Sequence, residues 1–149
     1  MNAPLYTIEI LRLAASLADD SALARTDGHA EVRSPTCGSR IEVSVALDAN
    51  GRVAALAQKV HACAFGQASA ALMEQGAVAR SREEVDVAIG QLGAWLAGED
   101  GAIDWPNLTA LAPARSRKSR HAAILLPFRG LLAAMDAAIS STMDPGARG

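Results

Sequence analysis

The stretch Ile41–Leu47, with the sequence IEVSVAL, alternates apolar and polar residues and is followed by the turn Asp48-Ala49-Asn50-Gly51. Alternation with a period of two is typical of a strand that buries one face. A second alternating stretch, Ala30 to Ser34, precedes it, and a third, Val53 to Val60, follows the turn. Because short turns between consecutive strands favour antiparallel pairing, we predict a three-stranded antiparallel meander.

The segments on both sides of this meander show the apolar spacing of helices. Leu5 to Ala18 places Ile10, Leu13 and Leu17 at helical steps. The stretch from Ala64 to Arg80 is rich in Ala and Ser and reads as a second helix. We therefore predict an α+β fold in which helices pack on one face of the sheet.

Two further helices are predicted towards the C-terminus. The first should begin at Ser81, because Ser81 and Glu84 have the spacing of a capping box. The last is predicted from apolar residues at steps of three and four: Leu125, Phe128, Leu132, Met135 and Ile139. Pro127 is expected in its first turn, where a missing N–H costs little. Ile103 to Ala114 is predicted to be a connection with one short turn.

Composition limits the class of protein. With 149 residues, 50% of them hydrophobic and 20% charged, the chain can form one domain with its own core. We expect a single domain over 1–149, with loose tails at 1–4 and about 141–149. The net charge of −2 argues against nucleic-acid binding. We find no signal peptide and no uninterrupted apolar run of about 18 residues, so we expect a cytoplasmic protein without a membrane partner.

The two cysteines have distinctive sequence neighbourhoods. Cys37 lies in the predicted turn Thr36-Cys37-Gly38-Ser39, and Cys63 lies at the predicted start of the second helix. A helix N-terminus favours negative charge, and hence a thiolate, through its free N–H groups. In the cytoplasm, two cysteines are more often thiols or ligands than a disulfide. Both cysteines can equally be inert, since free Cys packs well as a small apolar residue.

This order of elements resembles the iron–sulfur cluster assembly scaffold family, of the IscU, SufU and NifU amino-terminal type. The resemblance covers Leu5 to Ile139. Cys37-Gly38 is similar to the family's Cys-Gly-Asp turn, and His61 to Met73, with the sequence HACAFGQASAALM, is similar to its Gly-Cys-small-small helix start. The inserted stretch Ile103–Ala114 makes the chain more similar to the SufU branch.

The chain also departs from the family pattern. Ser39 occupies the position of the family's Asp, and the third family cysteine is replaced by Ala122 or Ala123, depending on how the motif is aligned. The Leu-Pro-Pro-Val-Lys segment of the IscU branch is absent from the sequence.

The resemblance implies a scaffold-like protein, not an enzyme, that binds iron, zinc or a labile 2Fe–2S cluster through Cys37 and Cys63. Its expected partners are a cysteine desulfurase or other iron–sulfur assembly proteins. Such sites use about four ligands, mostly thiolates. His121, beside the lost cysteine position, is therefore a candidate third ligand, whereas Ser39 is a poor substitute for Asp because its hydroxyl is neutral.

Other interpretations remain open. The chain can be a degenerate scaffold homologue that binds a desulfurase or a complete scaffold without metal. It can also be a thiol redox protein if Cys37 and Cys63 lie within about 7 Å between Cα atoms. His121 can be a solvated residue at a helix start. The basic run from Arg115 to His121 can be a solvated face or a surface that docks an acidic partner. The sequence leaves the oligomeric state open.

Overall fold

The computed structural model describes residues 6–17, 23–35 and 38–143, with the side chains of 142 and 143 excluded. These residues form four α-helices and three strands, in the order α1 (Ile8–Ala15), β1 (Gly28–Arg33), β2 (Arg40–Leu47), β3 (Val53–His61), α2 (Ala64–Ala77), α3 (Arg82–Leu96) and α4 (His121–Met143). Two 3-10 helices, Leu108–Ala114 and Lys118–Arg120, lie between α3 and α4.

The three strands form the predicted antiparallel meander, in the order β1-β2-β3. In the register, Val43 lies opposite Ala30 on one side and Gln58 on the other. Alternate residues of β2 face the core, and Ile41, Val43 and Val45 are at most 1% exposed. α4 packs across β1 and β2 on this face. The predicted α+β fold with helices against one face of the sheet is confirmed.

The capping box predicted at Ser81 is present. The Ser81 hydroxyl accepts a hydrogen bond from the Glu84 N–H at 3.2 Å, and the Glu84 carboxylate accepts one from the Ser81 N–H at 3.0 Å. The Ser81 backbone bond, followed by the bond from Arg52, lowers the pKa of Glu84. These bonds satisfy free N–H groups at the helix start, and a carboxylate there also complements the helix dipole.

The segment between α3 and α4 contributes to the core, whereas the sequence predicted only a connection with a short turn. Trp105 is 4% exposed, and Leu111 and Ala114 are fully buried. The Trp105 indole N–H donates to the Leu72 carbonyl at 3.0 Å, and its ring meets that of Phe128 edge to face at 5.1 Å. These contacts cross large sequence distances, which explains why local spacing did not reveal them.

The prediction for Pro127 was wrong. α4 begins at His121, so Pro127 is its seventh residue and lies in the second turn. Proline has no N–H, so it cannot donate the helical hydrogen bond to Ala123. The apolar residues predicted to line one side of α4 are not buried equally. Phe128 and Met135 are fully buried, whereas Leu132 is half-buried.

The two ends of the chain were predicted to be loose tails. α4 continues to Met143, beyond the predicted end near residue 140. Residues 1–5 and 144–149 lie outside the described residues, and so do 18–22 at the predicted end of the first helix.

α4 is part of a long apolar segment. The segment Lys118–Ser141 is long and apolar enough to cross a membrane by length and composition, with a mean hydropathy of 1.6. However, 56% of its most apolar window is buried inside the fold. Apolar residues on the buried side of this helix pack against the sheet and the neighbouring helices.

Candidate functional site

The hairpin turn that contains the first predicted site lies between β1 and β2. The Ser34 N–H donates to the Ser39 carbonyl at 2.9 Å, and the Gly38 N–H donates to the Ser34 carbonyl at 3.3 Å. Gly38 has a φ of +73°, a conformation that favours glycine. Ser34, Gly38 and Ser39 therefore close the hairpin at the described part of the predicted turn. Thr36 and Cys37 lie outside the described residues, so the position of the Cys37 thiol stays a prediction.

Cys63 is the N-cap residue of α2, as the sequence predicted. Its backbone is extended, with φ −65° and ψ 172°, and its carbonyl accepts the first helical bond, from the Gln67 N–H at 2.9 Å. The side chain is half-buried and makes no capping hydrogen bond. The first turn of α2 contains no acidic residue. The thiol therefore lies at a helix end whose positive dipole no carboxylate of that turn neutralises.

A shallow open cleft of about 450 Å³ joins these two segments. It lies at the end of the sheet where Arg40, at the start of β2, pairs with His61, at the end of β3. The described residues that line it are Gly38, Ser39, Val60, His61, Ala62, Cys63 and Gln67. The fold thus brings the end of the Cys-Gly turn and the Cys63 thiol to one cleft. We call this site the cysteine cleft.

Ser39, at the position of the family's Asp, lines the cysteine cleft but is only 5% exposed. Its backbone closes the hairpin, and the residue has a further interaction. A buried neutral hydroxyl supplies no charge to a cation. That Ser39 is a poor ligand stays a prediction.

His121 is the first residue of α4 and is half-buried. Its Nε2 lies 2.8 Å from the Ala114 carbonyl oxygen. Because a carbonyl can only accept, Nε2 must carry a proton and donate, which leaves the Nδ1 lone pair available in the neutral ring. Histidine ligands commonly have such a bond from the second nitrogen to a carbonyl. His121 is not among the residues that line the cysteine cleft.

The two candidate positions for the lost cysteine differ in burial. Ala123 is 1% exposed, and its Cβ lies 3.5 Å from where a Cβ on Gly66 would be. Ala122 is half-buried. The contact between Gly66 and Ala123 places the start of α4 against the first turn of α2, which Cys63 caps. Only position 122 combines this proximity with partial exposure.

The sequence pattern did not identify Gln67 as a site residue, and it included His61 only in the helix-start motif. Both line the cysteine cleft, His61 as an exposed residue at the end of β3. Gln67 lies four residues after Cys63, and residues at this spacing share one face of a helix. That spacing is the signal that could have identified Gln67 from the sequence.

Within the described parts of the chain, no three side chains of His, Cys, Asp or Glu form a group that could hold a metal ion. Cys63 and His61 therefore make at most part of a donor set there. Two thiolates and one imidazole would suit zinc or iron, so completion of the set depends on Cys37.

Comparison with solved structures identifies the fold. The N-terminal part of a nitrogen-fixing NifU-like protein from Brucella abortus matches with a TM-score of 0.81 and 28% sequence identity, over 91% of this chain and 95% of that one. An iron–sulfur cluster assembly scaffold protein for the SUF system from Fervidobacterium islandicum AW-1 matches with a TM-score of 0.78 and 16% identity, over 88% and 96%. The chain has the fold of the NifU- and SufU-type scaffold proteins.

The resemblance predicted from the sequence is thereby confirmed. Both matches span nearly the whole of the NifU-like and SufU-type structures, so the similarity is not confined to a shared hairpin or helix pair. Neither a protein-family model nor a curated protein matches the sequence. The three-dimensional arrangement therefore carries the assignment.

Proposed function

We propose that this chain is a scaffold-like protein of iron–sulfur cluster assembly that takes up iron, zinc or a labile 2Fe–2S cluster at the cysteine cleft. The observation that carries the proposal is the cleft itself, which joins Cys63 at the N-terminus of α2 to the end of the Cys-Gly turn. The scaffold fold of the two solved relatives supports this role. The role is one of binding and release, not of catalysis.

Cys63 and Cys37 are the proposed ligands or sulfur acceptors. The Cys63 side chain makes no capping hydrogen bond, so the sulfur can serve a metal or accept sulfur. The open shape of the cleft suits a cargo that must enter and leave. We propose His121 as a third ligand through Nδ1, with its ring orientation fixed by the bond to Ala114.

A donor set with two thiolates instead of three binds its cargo more weakly. Neither Ala122 nor Ala123 can ligate, so a fourth ligand must come from solvent or from a partner. We propose a cysteine desulfurase or another assembly protein as that partner. Weak binding is useful in this role, since a scaffold must release what it assembles.

The test is the content of metal and acid-labile sulfide in the protein purified without oxygen. We expect near-stoichiometric zinc or iron in the unmodified protein and its loss in Cys37→Ser and in Cys63→Ser. His121→Ala should reduce metal content, whereas His29→Ala should not, because His29 lies on the sheet and bonds to Ser44. A protein that stays free of metal after reconstitution would contradict the proposal.

A second candidate function is a degenerate scaffold homologue that binds a desulfurase or a complete scaffold without metal. The absence of a thiol at positions 122 and 123 favours it. It predicts that Cys37→Ser and Cys63→Ser leave the affinity for the protein partner unchanged. Under the first candidate, the same variants lose metal or sulfur capacity whatever happens to partner binding.

A further inference from the structure

Charge is distributed unevenly along the chain. Residues 105–135 contain no Asp or Glu but five of the 14 basic residues, which gives this segment a formal charge of +5. The rest contains the other nine basic residues and all 16 acidic residues, a formal charge of −7. The five basic residues are Arg115, Arg117, Lys118, Arg120 and Arg129.

Arg115 is used inside the fold. Its Nε donates to the Trp95 carbonyl at 2.8 Å and one terminal nitrogen donates to the Glu99 carbonyl at 3.2 Å. Its guanidinium also lies 4.9 Å from the centre of the Trp95 ring. Arg115 therefore attaches the start of the basic segment to the end of α3, and it is not a solvated charge.

The next three basic residues, Arg117, Lys118 and Arg120, form a compact surface that we call the basic turn. The Arg117 N–H donates to Ala114 and the Arg120 N–H donates to Arg117, both at 2.9 Å. Arg117 and Lys118 are exposed and Arg120 is half-buried. No ion pair joins any of the three to a carboxylate of the described residues. The backbone is thus ordered while the charges remain available.

The basic turn directly precedes α4, and the start of α4 contacts the first turn of α2 through Ala123 and Gly66. We propose that the basic turn docks the acidic surface of a protein that exchanges sulfur or cluster at the cysteine cleft. That the partner exchanges sulfur or cluster rests on the proposed function. That the partner presents an acidic surface rests on the charges of the basic turn alone. Complementary charge at this position would steer the partner towards Cys63.

The charge pattern favours a protein partner over the other anionic classes. A formal charge of −7 on the rest of the chain repels the phosphate backbone of a nucleic acid. Three cations on one short turn also provide few contacts for such a backbone. Among the residues whose burial the structure describes, the exposed large hydrophobic residues are Ile8, Leu11, Val78 and Val87, and all of them lie on other segments. The basic turn therefore lacks the adjacent apolar face of a membrane-binding segment.

The chain offers a direct test because its only two lysines are Lys59 and Lys118. The probe is a short oligoglutamate peptide with an acetylated N-terminus, joined to the protein by a carbodiimide that couples carboxylates to amines without a spacer. We expect the cross-link at Lys118. Lys59, which lies opposite Glu42 in the sheet, is the internal reference.

The matched variant is Arg117→Gln/Lys118→Gln/Arg120→Gln, and its control is Arg12→Gln/Arg33→Gln/Arg129→Gln, which removes three exposed charges elsewhere. Peptide affinity at low salt should fall about tenfold in the first and little in the second. Equal affinity in both, or cross-linking mainly at Lys59, would overturn the proposal. So would tighter binding of a single-stranded oligodeoxynucleotide or of phosphatidylserine vesicles, or self-association through the turn.

These measurements separate the two proposals. Peptide binding at the basic turn does not require metal, so it can be measured on Cys63→Ser as well as on the unmodified protein. If the protein holds no metal but still binds the peptide through Lys118, the cluster role is contradicted and the docking proposal is supported. If the protein holds metal but the triple variant binds the peptide with unchanged affinity, the cluster role is supported and the docking proposal is contradicted.

Discussion

The Ser69 hydroxyl on α2 donates a hydrogen bond of 2.5 Å to the backbone carbonyl of Ile124 on α4, and both residues are fully buried. This bond joins the two helices whose starts meet beside the cysteine cleft. Ile124 lies just before Pro127, in the part of α4 where proline removes one helical bond. The Ser69 bond therefore fixes the relative position of the helices that carry Cys63 and His121.

Ser69→Ala should lower the free energy of unfolding by about 1–2 kcal/mol, because it deletes a buried hydrogen bond and leaves a small void. Ser16→Ala is the matched control, since the exposed Ser16 hydroxyl donates to Leu13 at 2.7 Å. The control should change stability by less than about 0.5 kcal/mol. Urea unfolding followed by tryptophan fluorescence measures both, and equal effects would contradict the importance of the Ser69 bond.

The burial of Ala122 and Ala123 predicts which position can restore a third thiol. Ala122→Cys should give a thiol that iodoacetamide modifies in the folded protein and should raise the content of zinc or iron. Ala123→Cys should do neither, because this side chain is 1% exposed and faces Gly66. Mass spectrometry after alkylation gives the modification rates. Faster modification at 123 than at 122 would reverse the assignment of the family position.

Two glycines should respond in opposite directions to alanine. A Cβ on Gly66 would lie 2.6 Å from the Ala62 Cβ, so Gly66→Ala forces the start of α2 to shift and should cost about 1–3 kcal/mol. It should also lower metal content, since the shift occurs next to Cys63. Gly90→Ala, in the interior of α3 with no atom within 4 Å of the new Cβ, should stabilise by about 0.5–1 kcal/mol. Thermal unfolding distinguishes the two.

The capping box predicts a pH dependence of stability. The bonds from Ser81 and Arg52 lower the pKa of Glu84 in the folded state, so the charged carboxylate stabilises the fold above its unfolded pKa. This contribution is lost as the pH falls through the lowered pKa. Glu84→Gln should therefore be less stable than the unmodified protein at pH 7, with the difference shrinking in acid. The check is the urea concentration at the unfolding midpoint of both proteins, measured from pH 7 down through the lowered pKa of Glu84.

Glu83→Gln is the control for this experiment, because Glu83 lies on the same first turn but does not form the capping box. It should change the urea midpoint less than Glu84→Gln at pH 7. A difference between Glu84→Gln and the unmodified protein that grows in acid would contradict the assigned role of the carboxylate.

Some site properties could be predicted because they depend on neighbouring residues. The pattern of Ile41–Leu47 predicts a half-buried strand, and Ser81 and Glu84 predict a capped helix start. The position of Cys63 at a helix N-terminus also follows from local sequence. The Cys37 ligand role, the single-domain boundary and the cytoplasmic location remain predictions.

By itself, the sequence determined the meander, the starts of α2 and α3 and the resemblance to scaffold proteins, since these depend on periodicity and capping within a few residues. Tertiary structure decided the burial of Trp105, the bond from His121 to Ala114, and the difference between Ala122 and Ala123. These features arise where α2 and α4 meet or where the segment before α4 folds back. Their energies come from contacts between residues far apart in the chain, which local spacing does not encode.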